Sequence, residues 1–399
     1  MTIATNILDG LVNVNRKDHA EACGLSSRFS INGSGNDLNA RIKISTAVPG
    51  RVITPVECPP PIAPIPIKVR QREGDFKSRI KKPECFEKES GRKEYFPAEL
   101  VYHEEYHEDL PFVEIEKDLG APQLSEYFLQ DPINPERRKL IVIFFLHLGT
   151  HCRYPSFIVY QAVKLFDVAI DRISIDPSHV QLFALSAMWI ALKRQQTFIK
   201  IPSATKLASL LTEPCVGREI LLANYERKIL LALNFKITFA DVFSLFTYHL
   251  INSKRQLDIS HETTLFLYNC GGYLIDLTLL DERFCRVSAC LLSVTVAELV
   301  LGFGLDCAGN DENTTDIRPR WDFWRAIVLG KDSSPFSGFQ ENEIAGLRVT
   351  LLRHVRNSCK KGSVFEVVYK KYSRTRHGRI SEALSKRSNR ISFAELLDH

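Results

Sequence analysis

The chain has 399 residues, 45% of them hydrophobic, with 52 Lys and Arg against 47 Asp and Glu for a net charge of +5. That is enough chain for two or more domains with sizeable cores, and the charge is too mild to imply nucleic acid by itself. No apolar stretch follows a basic start, so no secretory signal is expected. The densest apolar run, Leu140-Ile141-Val142-Ile143-Phe144-Phe145-Leu146, is far short of the roughly 20 residues a membrane span needs.

The 10 cysteines contain no CxxC pair and no Cys/His cluster with zinc spacing. Several, such as Cys270, Cys285 and Cys290, fall inside apolar helical patterns, where free Cys acts as a small core residue. A reducing intracellular compartment is the expectation.

Residues 1–95 are expected to be mostly disordered, with weak apolar periodicity and a polyproline-type stretch from Cys58 to Pro66. Residues 96–133 form an N-terminal helix and linker, with Pro97 opening a helix over residues 98–102 that fades near Leu110. Thr54-Pro55 and Ser334-Pro335 are minimal proline-directed phosphorylation sites, common by chance.

From Asn134 the pattern becomes helix after helix. Asn134-Pro135-Glu136 has the form of a cap, a first-turn proline and a first-turn acid. That helix runs to about Leu148 and stops at Gly149. Ser156 caps a second helix ending near Ile170, Asp176-Pro177 starts a third that closes on Lys193, and Ser203 caps a short fourth over 204–211. The fifth covers about Val216–Leu233. The third is apolar on nearly every face, so neighbours must surround it. A second set starts at Thr238 or Asp241 and continues over about 260–277, 284–301, 321–324 and 341–355. No strict alternation marks a strand. The fold class expected is all-α, two tandem bundles of about five helices over 134–237 and 238–358, with flexible N- and C-terminal tails. The tail, 359–399, is basic from Lys370 to Arg390, as an import signal, a phosphate-binding patch or a solvated segment would be.

No glycine-rich phosphate loop, Ser-His-Asp or Cys-His arrangement or metal-ligand spacing can be assembled. The chain is therefore expected not to be an enzyme, with no catalytic residue, no cofactor and no metal. Lys193 and Glu226 sit on two consecutive helices of the first bundle, and an opposite-charge pair on a buried helical scaffold can hold a partner's helix.

Residues 137–237 resemble the first box of the cyclin family. Arg137-Arg138-Lys139-Leu140-Ile141 falls at the family's MRAIL position, Ala162-Val163 and Asp167 at AVxxxD, Gln181-Leu182 at KLQLVG, Ala191-Leu192-Lys193 at ASK, and Tyr225-Glu226 with Leu233-Asn234-Phe235 at ME…LxF. Residues 239–355 resemble the second box, where Leu277-Thr278-Leu279-Leu280-Asp281 and Ser288-Ala289 echo its signature. Within the family the likeness is to the cyclin J group, through Ala121-Pro122-Gln123-Leu124-Ser125, Ile173-Ser174-Ile175 and the link from Ile201 to Leu207.

The resemblance implies a regulatory subunit that forms a heterodimer with a cyclin-dependent kinase and activates it in cell-cycle control, with kinase substrates as further partners. Lys193, Glu226 and Arg194 would face the kinase; Arg194-Gln195-Gln196 stands where many members carry Phe-Glu-Glu. Arg138 and Asp167 would form a structural pair. A candidate substrate-docking groove comprises Arg137, Ile141, Phe144 and Gln181, with Arg137 and Phe144 replacing the family's Met and Trp, and His147 at the acidic position that receives a motif arginine. Residues 1–95 carry no RxxL or KEN destruction sequence. The resemblance implies no membrane association, no direct nucleic-acid contact and a nuclear or cytoplasmic location, the nucleus favoured. The alternative is a cyclin-fold binding module or scaffold that acts without kinase activation, as transcription factors built on this fold do. That alternative requires basic residues spread over a helical face.

Overall fold

The computed structural model describes Leu100–Arg390, apart from residues 101–103, 107–108, 131–132, 195–200, 212–216, 306–320, 331–335 and 337. The expected disordered region, the polyproline stretch, Thr54-Pro55, Ser334-Pro335 and residues 391–399 lie outside the described residues. Those described belong to one compact unit, are all-α and include no strand. None of their helices is long and apolar enough to cross a membrane.

The first bundle is α2 (Pro135–Cys152), α3 (Ser156–Ile170), α4 (Val180–Arg194), α5 (Ala204–Ala208) and α6 (Arg218–Ala232). Caps fix the starts. Asn134 Oδ1 accepts from the Arg137 amide at 2.9 Å, Asp176 caps a 3-10 turn over Pro177–His179 that feeds α4, and Ser203 Oγ accepts from the Lys206 amide at 3.2 Å. Helix α4 is the post expected: it packs on α2, α3, α5 and α6, and Phe183, Ala184, Leu185, Ala187 and Met188 are wholly buried.

Two local expectations need correcting. Helix α2 does not stop at Gly149 but continues to Cys152 and ends on Arg153 in the left-handed region, φ 57°. Gly149 serves close approach instead: a Cβ there would meet Val159 Cγ2 at 2.5 Å, so α2 and α3 touch at this point. Ser156 does not cap α3; its hydroxyl receives a hydrogen bond from Lys371 Nζ at 2.8 Å.

The second bundle is α7 (Val242–Leu257), α8 (His261–Leu279), α9 (Ala289–Leu299), α10 (Trp321–Leu329) and α11 (Glu341–Ser358). Asp241, Ser260 and Ser288 cap α7, α8 and α9 through their side chains. Helix α9 is the buried element, packed on α7, α10 and α11. Its Glu298 pairs with Arg348 Nη1 at 2.6 Å, and that guanidinium lies 4.3 Å from the centre of the Trp321 ring, so one buried cation joins α9, α10 and α11.

Leu100, Glu104 and Glu105 are helical, where a helix was expected, and a second helix follows ahead of both bundles. Helix α1 (Leu110–Leu119) begins where the expected helix was to fade, because Pro111 suits a first turn. Its acids do more than solvate a face. Glu114 accepts from the Asp241 amide at 2.6 Å, and Asp118 accepts from the Ala289 and Cys290 amides at 3.0 and 3.1 Å. Carboxylates spaced i, i+4 thus serve the amino ends of α7 and α9, where amides and helix dipoles favour negative charge.

The bundles meet around Arg138. Its Nε and Nη2 each donate to Asp167 at 2.7 Å, and Nη1 donates to the Leu279 carbonyl at 2.9 Å. Both side chains are 2% exposed. Burial lowers the Arg138 pKa, but the charge and hydrogen bonds of Asp167 together with Cys285 and Glu282 outweigh it, and the net shift is upward. The expected pair within the first bundle is therefore also a bond to the end of α8 in the second.

The segment expected to be a flexible basic tail is folded as far as Arg390. Helices α12 (Glu366–Tyr372) and α13 (Ile380–Asn389) pack against α8 and α11, and α12 also reaches α2. The high charge concealed a sparse apolar stripe, Val368, Tyr372, Ile380 and Leu384, all buried. Lys371 Nζ donates to Asp276 at 2.6 Å as well as to Ser156, so this segment ties α8 to α3.

Removing one partner of a buried pair strands the other charge. Arg138→Ala and Asp167→Ala should each lower unfolding free energy by about 3–5 kcal/mol, read from urea melts; a loss under 1 kcal/mol in both would contradict the assignment. A second expectation concerns Asp281, which accepts from His354 Nε2 at 2.7 Å and from Arg283 Nη2 at 2.6 Å. Burial alone would raise this carboxyl; the bonds from His354 and Arg283 overcome that and hold it far below the usual range. A depressed carboxyl adds stability that is complete above its unfolded pKa, about 3.9, and fades as pH falls toward the folded value. Asp281→Asn should cost about 1–3 kcal/mol at pH 7, with the gap to wild type narrowing below about pH 4.

Candidate functional site

Two buried polar contacts set α6 against α4. Ser186 Oγ lies 2.9 Å from the Leu182 carbonyl and 3.0 Å from that of Leu222. The Tyr225 hydroxyl lies 2.8 Å from His179 Nδ1, and its ring meets Phe183 edge-on at 5.7 Å. In this register Lys193, on the last turn of α4, reaches Glu226, mid-way along α6. Lys193 Nζ donates to Glu226 Oε1 at 2.6 Å, with the two side chains 37% and 16% exposed.

The ammonium also stands 3.3 Å from the centre of the Trp189 ring, one turn earlier on the same helix face. Trp189 is itself fixed, its indole N–H donating to the Pro202 carbonyl at 3.1 Å. The cation is thus held at the rim by a carboxylate and an aromatic face.

The end of α6 carries an exposed apolar residue. Leu230 is one turn after Glu226 on the same face. Its carbonyl accepts from the Phe235 amide at 2.8 Å, closing the end of α6. Asn234 and Phe235 both adopt left-handed backbone, φ 48° and 58°, which is rare for a bulky residue. Phe235 is nonetheless 64% exposed. The sequence signal was present in Leu233-Asn234-Phe235, but only the turn geometry shows the ring standing in solvent.

Arg194, expected alongside Lys193, points elsewhere. Its Nη1 donates to the Ile237 carbonyl at 2.8 Å and to Gln161 Oε1 at 3.3 Å, while Gln161 Nε2 donates to the Phe239 carbonyl at 3.2 Å. Burial pulls the Arg194 pKa down, against the pull of Glu114 and Asp241. Adjacent helical positions differ by about 100° around the axis, so Arg194 staples the chain after Phe235 to the end of α4 and positions the site from behind.

Arg137, Ile141 and Phe144 fall at i, i+4 and i+7 on one stripe of α2, but Ile141 and Phe144 are core residues, 1% and 8% exposed. Arg137 and Gln181 are partly exposed. The structure thus gives the candidate groove no open apolar floor. His147 on the same helix is held below its usual pKa by burial and then by the nearby Lys370 charge. No carboxylate stands at that position to receive a motif arginine.

This geometry of five packed helices with a paired cation at one rim can be set beside known proteins. Residues 114–238 match the family model described as "Cyclin, N-terminal domain". The match begins inside α1, so the matched stretch takes in Glu114 and Asp118 together with the first bundle. No curated protein sequence matches the chain. Among solved structures, a viral cyclin from herpesvirus saimiri aligns at 16% identity over 67% of this chain and 98% of its own, with a TM-score of 0.47. The CAK complex from Chaetomium thermophilum bound to ATP-gamma-S aligns at 13% identity over 74% of this chain and 84% of that one, with a TM-score of 0.41.

A surface ion pair contributes about 0–1 kcal/mol to folding. Lys193→Ala and Glu226→Ala should therefore each change unfolding free energy by no more than about 1 kcal/mol in urea melts. A loss above 3 kcal/mol in either would make the pair a fold element rather than a surface held ready for a partner.

Proposed function

We propose that this chain is a cyclin-type regulatory subunit that binds a cyclin-dependent kinase and switches it on, in cell-cycle control. The observation that carries this reading is the Lys193–Glu226 pair, fixed by Trp189 at the rim of a cyclin N-terminal domain, with Phe235 exposed at the end of the helix that carries Glu226. A protein kinase needs a glutamate on its mobile C-helix brought inward to pair with its ATP-binding lysine, and its activation loop ordered. A rigid partner that binds only the inward conformer supplies that shift without contributing a catalytic group. Phe235 and Leu230 would bury the apolar side of the kinase helix, while Lys193 and Glu226 would meet its polar side.

Under this reading the chain itself is not an enzyme and needs no cofactor. Arg194 acts behind the interface, holding Ile237 and hence Phe235 in place. Residues 239–355 serve as a second cyclin box, the subtype likeness is to cyclin J, and a nuclear site of action is favoured.

The test is capture of cyclin-dependent kinases by the full chain, followed by a phosphorylation assay on the recovered complex. Lys193→Ala and Glu226→Ala should each weaken kinase binding by about 2–5 kcal/mol, as loss of one partner in a desolvated interfacial charge pair does. Phe235→Ala should have a comparable effect as the loss of a large apolar anchor, about 2 kcal/mol or more. Undiminished capture by all three folded variants would refute the reading. Capture without activation would leave a binding scaffold in its place.

A further inference from the structure

Residues 353–390 carry 12 Lys and Arg against only Glu366 and Glu382, a local charge of +10 in a chain whose total is +5, so the remaining residues sum to −5. Folding sorts these cations. Lys371 turns inward to Asp276, Arg387 is buried, and Lys370 is paired with Glu366 at 2.8 Å. Arg353, Lys360 and Lys361 are exposed ahead of α12, and five further exposed cations, Arg374, Arg376, Arg379, Lys386 and Arg390, follow it.

Arg374, Arg376 and Arg379 share a single tight turn, closed by the His377, Gly378 and Arg379 amides bonding back to the carbonyls of residues 374 and 375. All three side chains are exposed. From Arg379, positions 386 and 390 follow at i+7 and i+11 on the same face of α13. Lys386 and Arg390 are exposed there, while Ile380, Leu384 and Ser388 face the core. Eleven residues of helix span about 16 Å. Burial, then the charges of Arg376, Lys371 and Arg374, push His377 down to about 4, as a locally positive surface requires.

We propose that this edge, the 374–379 turn continued along α13, docks the phosphate backbone of a nucleic acid. Charge complementarity selects the occupant. Duplex carries one negative charge per about 1.7 Å of axis, so about 16 Å presents on the order of ten charges to five cations. No large apolar side chain is exposed between Glu366 and Arg390 among the described residues. A membrane-surface segment needs an apolar face to insert, and a protein interface needs a buried apolar or aromatic anchor. A strip that offers charge alone contacts backbone and takes no sequence information. The same folding argues against an extended import signal, since these residues are in helices anchored by Tyr372, Ile380 and Leu384.

The proposal is independent of the kinase-regulator reading, and one experiment keeps the two apart. Binding of the full chain to a fluorescent 20-base-pair duplex and to a single-stranded oligonucleotide is measured by anisotropy from 50 to 200 mM salt, with poly-glutamate as a second probe. With five phosphates contacted, the slope of log affinity against log salt is about −4.5, a loss of about 500-fold over that range. Arg374→Gln with Arg379→Gln should reduce the slope by about 2, with kinase capture unchanged. Lys386→Gln with Arg390→Gln, on the other end of the strip, should do the same and guards against misfolding of the turn; melting of each variant is followed alongside. Lys193→Ala should leave nucleic-acid binding intact. No binding at 50 mM salt, equal binding of poly-glutamate, or slopes unmoved in both folded double variants would each overturn the proposal.

Discussion

Arg138 is the constraint on which the rest depends. One guanidinium, 2% exposed, holds Asp167 with two bonds and a carbonyl of the second bundle with a third. Both charges have left water, a desolvation that costs several kcal/mol for each ion and is offset only when the geometry satisfies nearly every donor. That demand couples the two bundles. Helix α2 cannot shift on α3 without breaking the carboxylate contacts, and α8 cannot leave α2 without stranding an N–H in the core. Lys164, whose Nζ donates to the Cys285 carbonyl at 3.1 Å, adds a second strut across the same joint.

The candidate site is held by its own set of contacts. Ser186 and Tyr225 register α6 on α4, Trp189 restrains Lys193, and Arg194 with Gln161 fixes the chain that leads from Phe235 into α7. Glu114 of α1 bonds the amide of Asp241 at the end of that same link. The rim is thus built from side chains whose own rotamers are locked by packing, the arrangement that lets an interface select one conformer of a partner rather than adapt to several.

The sequence made much of this legible where local chemistry decides the outcome. The caps at Asn134 and Ser203 and the start of α7 at Asp241 each rest on a residue and the amides two or three positions later, so they could be identified without a fold. The all-round apolarity of α4 dictated burial, and a lysine and a glutamate at matched positions could be expected to meet. What failed was whatever depended on distant partners. Gly149 looked like a terminator because its neighbour Val159 lies in another helix. Glu114 and Asp118 carried no local sign of their role because the amides they serve are more than a hundred residues away. Arg194 looked like a companion of Lys193 because the Ile237 carbonyl that claims it appears only when α6 has turned. Charge density hid the four apolar residues that fold the basic segment.

That last point changes where the domain ends. Val368 and Tyr372 fill space between α2, α8 and α11; the Tyr372 ring lies 5.5 Å from that of Tyr273, and Lys371 neutralises an Asp276 carboxylate with no solvent exposure. A fragment ending after Ser358, the boundary expected for the second bundle, would carry a naked internal anion and an uncovered aromatic cleft. The packed unit therefore continues to the end of α13 at Asn389.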